Sequence, residues 1–112
     1  SRLMNRLQDE WPAYRDNFVG VTFREVQEVA SNLAATLLNT SPEKMSVELT
    51  VDATVFFTCM YPDMNAYIEA HFEPGEEPEV VINVYEDKKP VYAYGGTLVE
   101  SLQAFYSFLN NR

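Results

Sequence analysis

The sequence predicts an α+β fold: a two-layer sandwich whose helices cover one face of an antiparallel four-stranded meander, in the order α-α-β-β-β-β-α. Three observations carry this. Apolar residues recur at helical spacing at both chain ends, two T-x-x-E capping boxes mark helix starts at Thr22 and Thr97, and apolar and polar residues alternate with period two between Val47 and Tyr94.

Leu3, Met4, Leu7 and Trp11 predict a first amphipathic helix from Arg2 to Glu10, stopped near Trp11-Pro12, with Tyr14 and Phe18 continuing the apolar stripe. Thr22 and Glu25 open the second helix, with Val21 and Val26 at the staple positions. Val26, Val29, Ala30, Leu33, Leu37 and Leu38 form its apolar face, and Asn39-Thr40-Ser41-Pro42 ends it. From Val47 to Cys59 the odd positions are Val, Leu, Val, Ala, Val, Phe and Cys, while all the even ones except Phe56 are polar. A two-residue hairpin at Asp52-Ala53 would break this parity, so the pattern predicts one long, bent strand. After the Pro62-Asp63 turn, Ala66, Ile68, Ala70 and Phe72 alternate with Tyr67, Glu69, His71 and Glu73 in a second strand. Beyond the Pro74 to Pro78 loop, Val80, Ile82 and Val84 alternate with Val81, Asn83 and Tyr85 in a third, and Glu86 to Lys89 turn the chain into a fourth, Val91 to Tyr94. The short connections imply an antiparallel meander. Gly95-Gly96 breaks the alternation, and Thr97 with Glu100 opens a last helix carrying Leu98, Leu102, Phe105 and Leu109 on one face.

The length of 112 residues, without a shift in composition, predicts a single domain over 1–112. With 46% hydrophobic and 22% charged residues the chain has the makeup of a globular unit, not a disordered one. No run of apolar residues is long enough to span a bilayer, so no membrane association is expected. The chain starts at Ser1 and not at Met, which leaves open a trimmed leader or a longer parent chain. A single cysteine, Cys59, excludes an internal disulfide and a thiolate metal site, and fits a reducing, cytoplasmic setting. A net charge of -9 disfavours direct nucleic-acid binding and favours basic partners.

No catalytic, cofactor or metal constellation emerges. His71, the only histidine, has carboxylates nearby in sequence but no nucleophile motif, and reads as a half-exposed strand residue. Cys59 falls on the inward parity, where a thiol acts as a small apolar residue. Gly95-Gly96-Thr97 reads as a sharp turn into a helix, since the rest of a phosphate loop is missing. The acidic residues around the second and third strands lack the D-x-D-x-D-G spacing of a calcium loop. What stands out is the outward parity of the sheet: Phe56, Tyr67, Val81, Tyr85 and one or both of Tyr92 and Tyr94 are too apolar for a plain wet face. Phe56, Tyr67, Glu69, His71, Tyr85, Tyr92 and Tyr94 are the expected interface residues.

Trp11, Tyr14 and Phe18, followed by the capped helix from Thr22 to Leu38 and the meander, resemble small bacterial proteins with a W-D-x-Y-like opening, carried by phages and mobile elements beside toxin, antitoxin or defence genes. In this chain Pro-Ala-Tyr follows Trp11. The resemblance implies an accessory, immunity or antitoxin-like role and brings no biochemical activity with it. Size, acidity and a helix-flanked sheet also resemble type III secretion chaperones, which implies a chaperone-like dimer. The expectation is therefore a non-enzymatic, acidic protein-interaction module that binds a protein partner, a basic one by charge, through its aromatic sheet face, with a homodimer as a further expectation. Two alternatives are a small-ligand or enzymatic pocket around His71 and an acidic surface that imitates nucleic acid.

Overall fold

A computed structural model describes residues 1–112. Three helices, α1 (Arg2–Tyr14), α2 (Phe23–Leu38) and α3 (Leu98–Asn110), accompany five strands: β1 (Lys44–Leu49), β2 (Thr54–Met60), β3 (Asn65–His71), β4 (Glu79–Glu86) and β5 (Lys89–Gly96). The strands form one antiparallel sheet in the order β1-β2-β3-β4-β5. The α+β class and the meander agree with the sequence; the strand number is five, not four.

The extra strand comes from a hairpin inside the expected long strand. Leu49 pairs with Val55, and Thr50 N–H donates to the Thr54 carbonyl at 3.1 Å, which leaves Val51, Asp52 and Ala53 as a three-residue loop. A loop with an odd number of residues pairs positions of the same parity, so the alternation runs through the turn unchanged. Ala53 adopts the left-handed conformation, φ 57°, that ends such loops and that glycine usually supplies.

Both capping boxes form. Thr22 N–H donates to Glu25 Oε2 at 2.6 Å and Glu25 N–H to Thr22 Oγ1 at 3.2 Å; Thr97 and Glu100 repeat the exchange at 3.0 and 3.2 Å. The first helix runs past Glu10 and through Pro12 to Tyr14, followed by a short 3-10 turn, Arg15–Asn17. Proline costs its own N–H bond and crowds the preceding turn. Against that cost, the extension packs Trp11 on Phe18 and Phe23, with ring centroids 5.2 and 5.1 Å apart, and Phe18 on Phe72 at 5.9 Å. The fifth strand likewise runs through Gly95 and Gly96, which pair with Val81 and Val80. A Cβ at Gly96 would lie 2.9 Å from Glu100 Oε1, so this glycine leaves room for the capping carboxylate.

One buried cluster joins the helices to one sheet face. Leu7, Val26, Leu33, Leu37, Leu102 and Phe105 meet Val47, Val55, Phe57, Cys59, Ile68, Val80, Ile82 and Val84, and every strand residue in the cluster belongs to that inner face. Polar contacts fix the helices. Ser101 Oγ donates to the Val80 carbonyl at 2.7 Å, Tyr106 Oη to the Thr36 carbonyl at 2.9 Å, and Leu49 N–H, on the edge strand β1, to Glu10 Oε1 at 3.0 Å. No helix is long and apolar enough to cross a membrane.

Candidate functional site: the outer sheet face

Because cross-strand partners share a face, the register fixes which side chains look away from the helices. One row contains Lys44, Met60, Asn65 and Tyr85, the next Ser46, Thr58, Tyr67, Asn83 and Ala93, and a third Glu48, Phe56, Glu69, Val81 and Gly95. Phe56, Tyr67 and Tyr85 are diagonal neighbours on β2, β3 and β4. Their ring centroids lie 5.9 and 5.8 Å apart, with interplanar angles of 39° and 70°. This ladder is left uncovered: Tyr85 and Met60 are 36% and 41% exposed, and Phe56 and Tyr67 are half-buried against their neighbours.

The ladder floors an open basin of about 1020 Å³. Met60, Asn65 and Asn83 complete the floor, the β2–β3 connection contributes Tyr61, Pro62, Asp63 and Met64, and Glu43, Glu69, Asp87 and Lys88 supply the remaining charges. Asp63 is already engaged. Arg112 Nη2 lies 2.7 Å from both Asp63 Oδ2 and Glu86 Oε1, which ties the segment after α3 to this rim. Glu43, Glu69, Asp87 and Lys88 take part in none of the ion pairs. Asp87 and Lys88, the two residues between Glu86 and Lys89, both have positive φ, 49° and 65°, as a type I′ hairpin requires.

Of the residues expected at an interface, the structure brings Phe56, Tyr67, Glu69 and Tyr85 together in this basin. His71 is on the same face, in register with Thr54 and Glu79, but outside the basin lining. Tyr92 and Tyr94 belong to the opposite face. A simple two-residue hairpin would set Tyr92 opposite Asn83, looking outward; instead the register shifts between Val84 and Tyr85, and Tyr92 pairs with Val84 and Tyr94 with Ile82. One extra residue, Val91, thus turns both tyrosines toward the helix side. Tyr92 there stacks on Phe108 of α3 at 4.5 Å and 23°.

Periodicity reached the ladder and, at the rim, Glu69, but not the other rim charges. Met60 follows Phe56 and Thr58 on the same parity and could have been found that way. Glu43, Asp87 and Lys88 arrive from turns, where parity says nothing about direction.

Elsewhere, no group of His, Cys, Asp and Glu residues has the geometry to hold a metal ion. Cys59 is fully buried, and loss of solvation pushes its thiol up to about 12, far from the thiolate a nucleophile needs. Burial likewise raises Tyr61 to about 12. The Tyr61 hydroxyl lies 2.6 Å from Thr40 Oγ1, which itself donates to the Leu37 carbonyl at 2.6 Å, so the tyrosine is the donor. No protein-family model, curated protein or solved structure matches the chain, and any functional reading rests on the site's own chemistry.

Proposed function

We propose that the protein is a non-enzymatic interaction module, accessory, immunity or antitoxin-like in kind, that docks a protein partner on the outer sheet face. The observation that carries this is the Phe56–Tyr67–Tyr85 ladder: three large rings on a face that no helix covers, in an open basin with charged groups at its edge. Rings in such a setting, apolar in the middle and polar at the rim, are the usual makeup of a protein contact. Charge favours a foreign, basic partner over a second copy of the chain, because two copies would bring together surfaces of a protein with net charge -9. His71 lacks the setting of a catalytic base: it does not line the basin, and Thr54 beside it is hydrogen-bonded to Thr50.

Affinity purification from the native host followed by reconstitution of the purified pair tests the reading. Wild type is expected to retain a partner that Tyr67→Ala with Tyr85→Ala loses by tenfold or more in affinity, about 1.4 kcal/mol or more. Equal binding by the folded double variant would refute the docking face. Light scattering separates the second-copy case, for which a mass of two chains that falls to one in the double variant is the signature.

A further inference from the structure

The composition of the basin narrows the chemistry of its occupant, a step that rests on the docking reading above. Tyr67 stands at 39° to Phe56 and 70° to Tyr85, so the ladder offers several ring faces but no coplanar platform for a sugar or a base to lie across. A cation needs only one face, at any tilt, within about 6 Å of the ring centroid. The surroundings select for positive charge as well. Glu43, Glu69 and Asp87 are carboxylates without an ion-pair partner; against these three, Lys88 lines the basin and Lys44 stands next to Met60 on the same face. Asn83, in register with Tyr67, and Asn65, in register with Tyr85, add amide oxygens that accept hydrogen bonds beside the rings. Net charge of -9 draws cations toward the whole surface.

Of the two basic side chains, arginine fits this set better. Its guanidinium is planar, stacks on aromatic faces and carries five donors and no acceptor, which matches rings bordered by carboxylates and amide oxygens; lysine is a more strongly hydrated point charge. We propose that the basin receives an arginine side chain of the partner, its guanidinium stacked on Tyr67 and hydrogen-bonded to the carboxylate of Glu69, two residues along the same strand and on the same face.

A display library of random peptides, selected on the folded protein and counter-selected on Tyr67→Ala with Tyr85→Ala, tests this. Face-dependent peptides are expected to share an arginine at a fixed position. Replacing it with citrulline, of the same shape but neutral, should weaken binding by about two- to thirty-fold. Glu69→Gln should weaken the arginine peptide several-fold and leave the citrulline peptide nearly unchanged; this variant keeps the rings and gives the readout should the double variant fail to fold. Face-dependent peptides without a shared arginine, or equal binding of the citrulline form, would overturn the arginine assignment and leave the docking face standing. If no peptide distinguishes wild type from the folded variants, both fall. Face-dependent binding of an oligosaccharide in place of any peptide also overturns the assignment.

Discussion

Lys88 holds a left-handed backbone, φ 65°, that costs an L-residue about 1–2 kcal/mol, and its partner in the turn, Asp87, shares the strain. Glycine at the second position of such a turn removes that cost but adds freedom to the unfolded chain, worth about 0.4–1 kcal/mol. The balance favours Lys88→Gly by about 0.5–1 kcal/mol, read as a higher urea midpoint with an unchanged slope. Cys59 shows how parity in the sequence can settle a residue. Its inward position was legible because it continues Val55 and Phe57, and burial then follows without further information. The buried thiol has a consequence at high pH. The unfolded thiol ionises near 9 and the folded one near 12, so between those values the unfolded state has released a proton that the native state retains. Stability from this group is complete below about pH 9 and declines as pH rises toward about 12, with a total loss on the order of a few kcal/mol. Cys59→Ala should flatten the alkaline decline in a series of denaturation curves, while the remaining slope reports Tyr61 and Tyr92, whose hydroxyls loss of solvation also raises. An equally steep decline in the variant would assign the effect elsewhere.

Elements were legible where a start signal and a period agreed. The capping boxes at Thr22 and Thr97 marked α2 and α3 because the hydroxyl, the carboxylate and their three-residue spacing are the hydrogen-bond pattern itself. The β1–β2 hairpin was not legible, since its left-handed position is held by Ala53, so no glycine or asparagine announces a turn, and its odd loop keeps the parity intact. The extension of α1 was hidden for the opposite reason: Pro12 is a true breaking signal, outweighed by an aromatic cluster assembled from residues far apart in sequence. That extended helix lies along the edge strand β1, where an open backbone donor would otherwise invite pairing with another chain. Glu10 answers it by accepting from Leu49 N–H. Glu10→Ala should cost about 1–2 kcal/mol by urea denaturation, because an N–H bonded to a carboxylate loses its acceptor in a half-buried place. Glu10→Gln keeps an acceptor and should recover more than half of that loss. Identical stabilities for wild type and Glu10→Ala would mean that water replaces the carboxylate without cost.

For the molecule as a whole, one face of the sheet is covered by helices and the other is open, and the alternation between Val47 and Tyr85 encodes that division. Period two separated Val80, Ile82 and Val84 from Val81, Asn83 and Tyr85 with no knowledge of the fold. It misplaced Tyr92 and Tyr94, because a bulge leaves no mark on the local pattern yet reverses every later side chain. On the proposed function, the division also separates stability from recognition. Ile82 is fully buried among helix residues, whereas Tyr85 keeps 36% of its surface in water and touches Tyr67 on one edge. Truncating Ile82 to alanine removes apolar contacts and leaves a cavity, at a cost of about 2–5 kcal/mol. Tyr85→Ala opens no cavity, so its cost should stay near 1 kcal/mol, mostly from the lost ring contact. Parallel urea titrations of the two variants decide whether the outer rings are held for folding or for binding. A Tyr85→Ala loss as large as that of Ile82→Ala would make the ladder a second structural layer, since surface that stabilises the isolated chain to that degree is not being kept free for a partner.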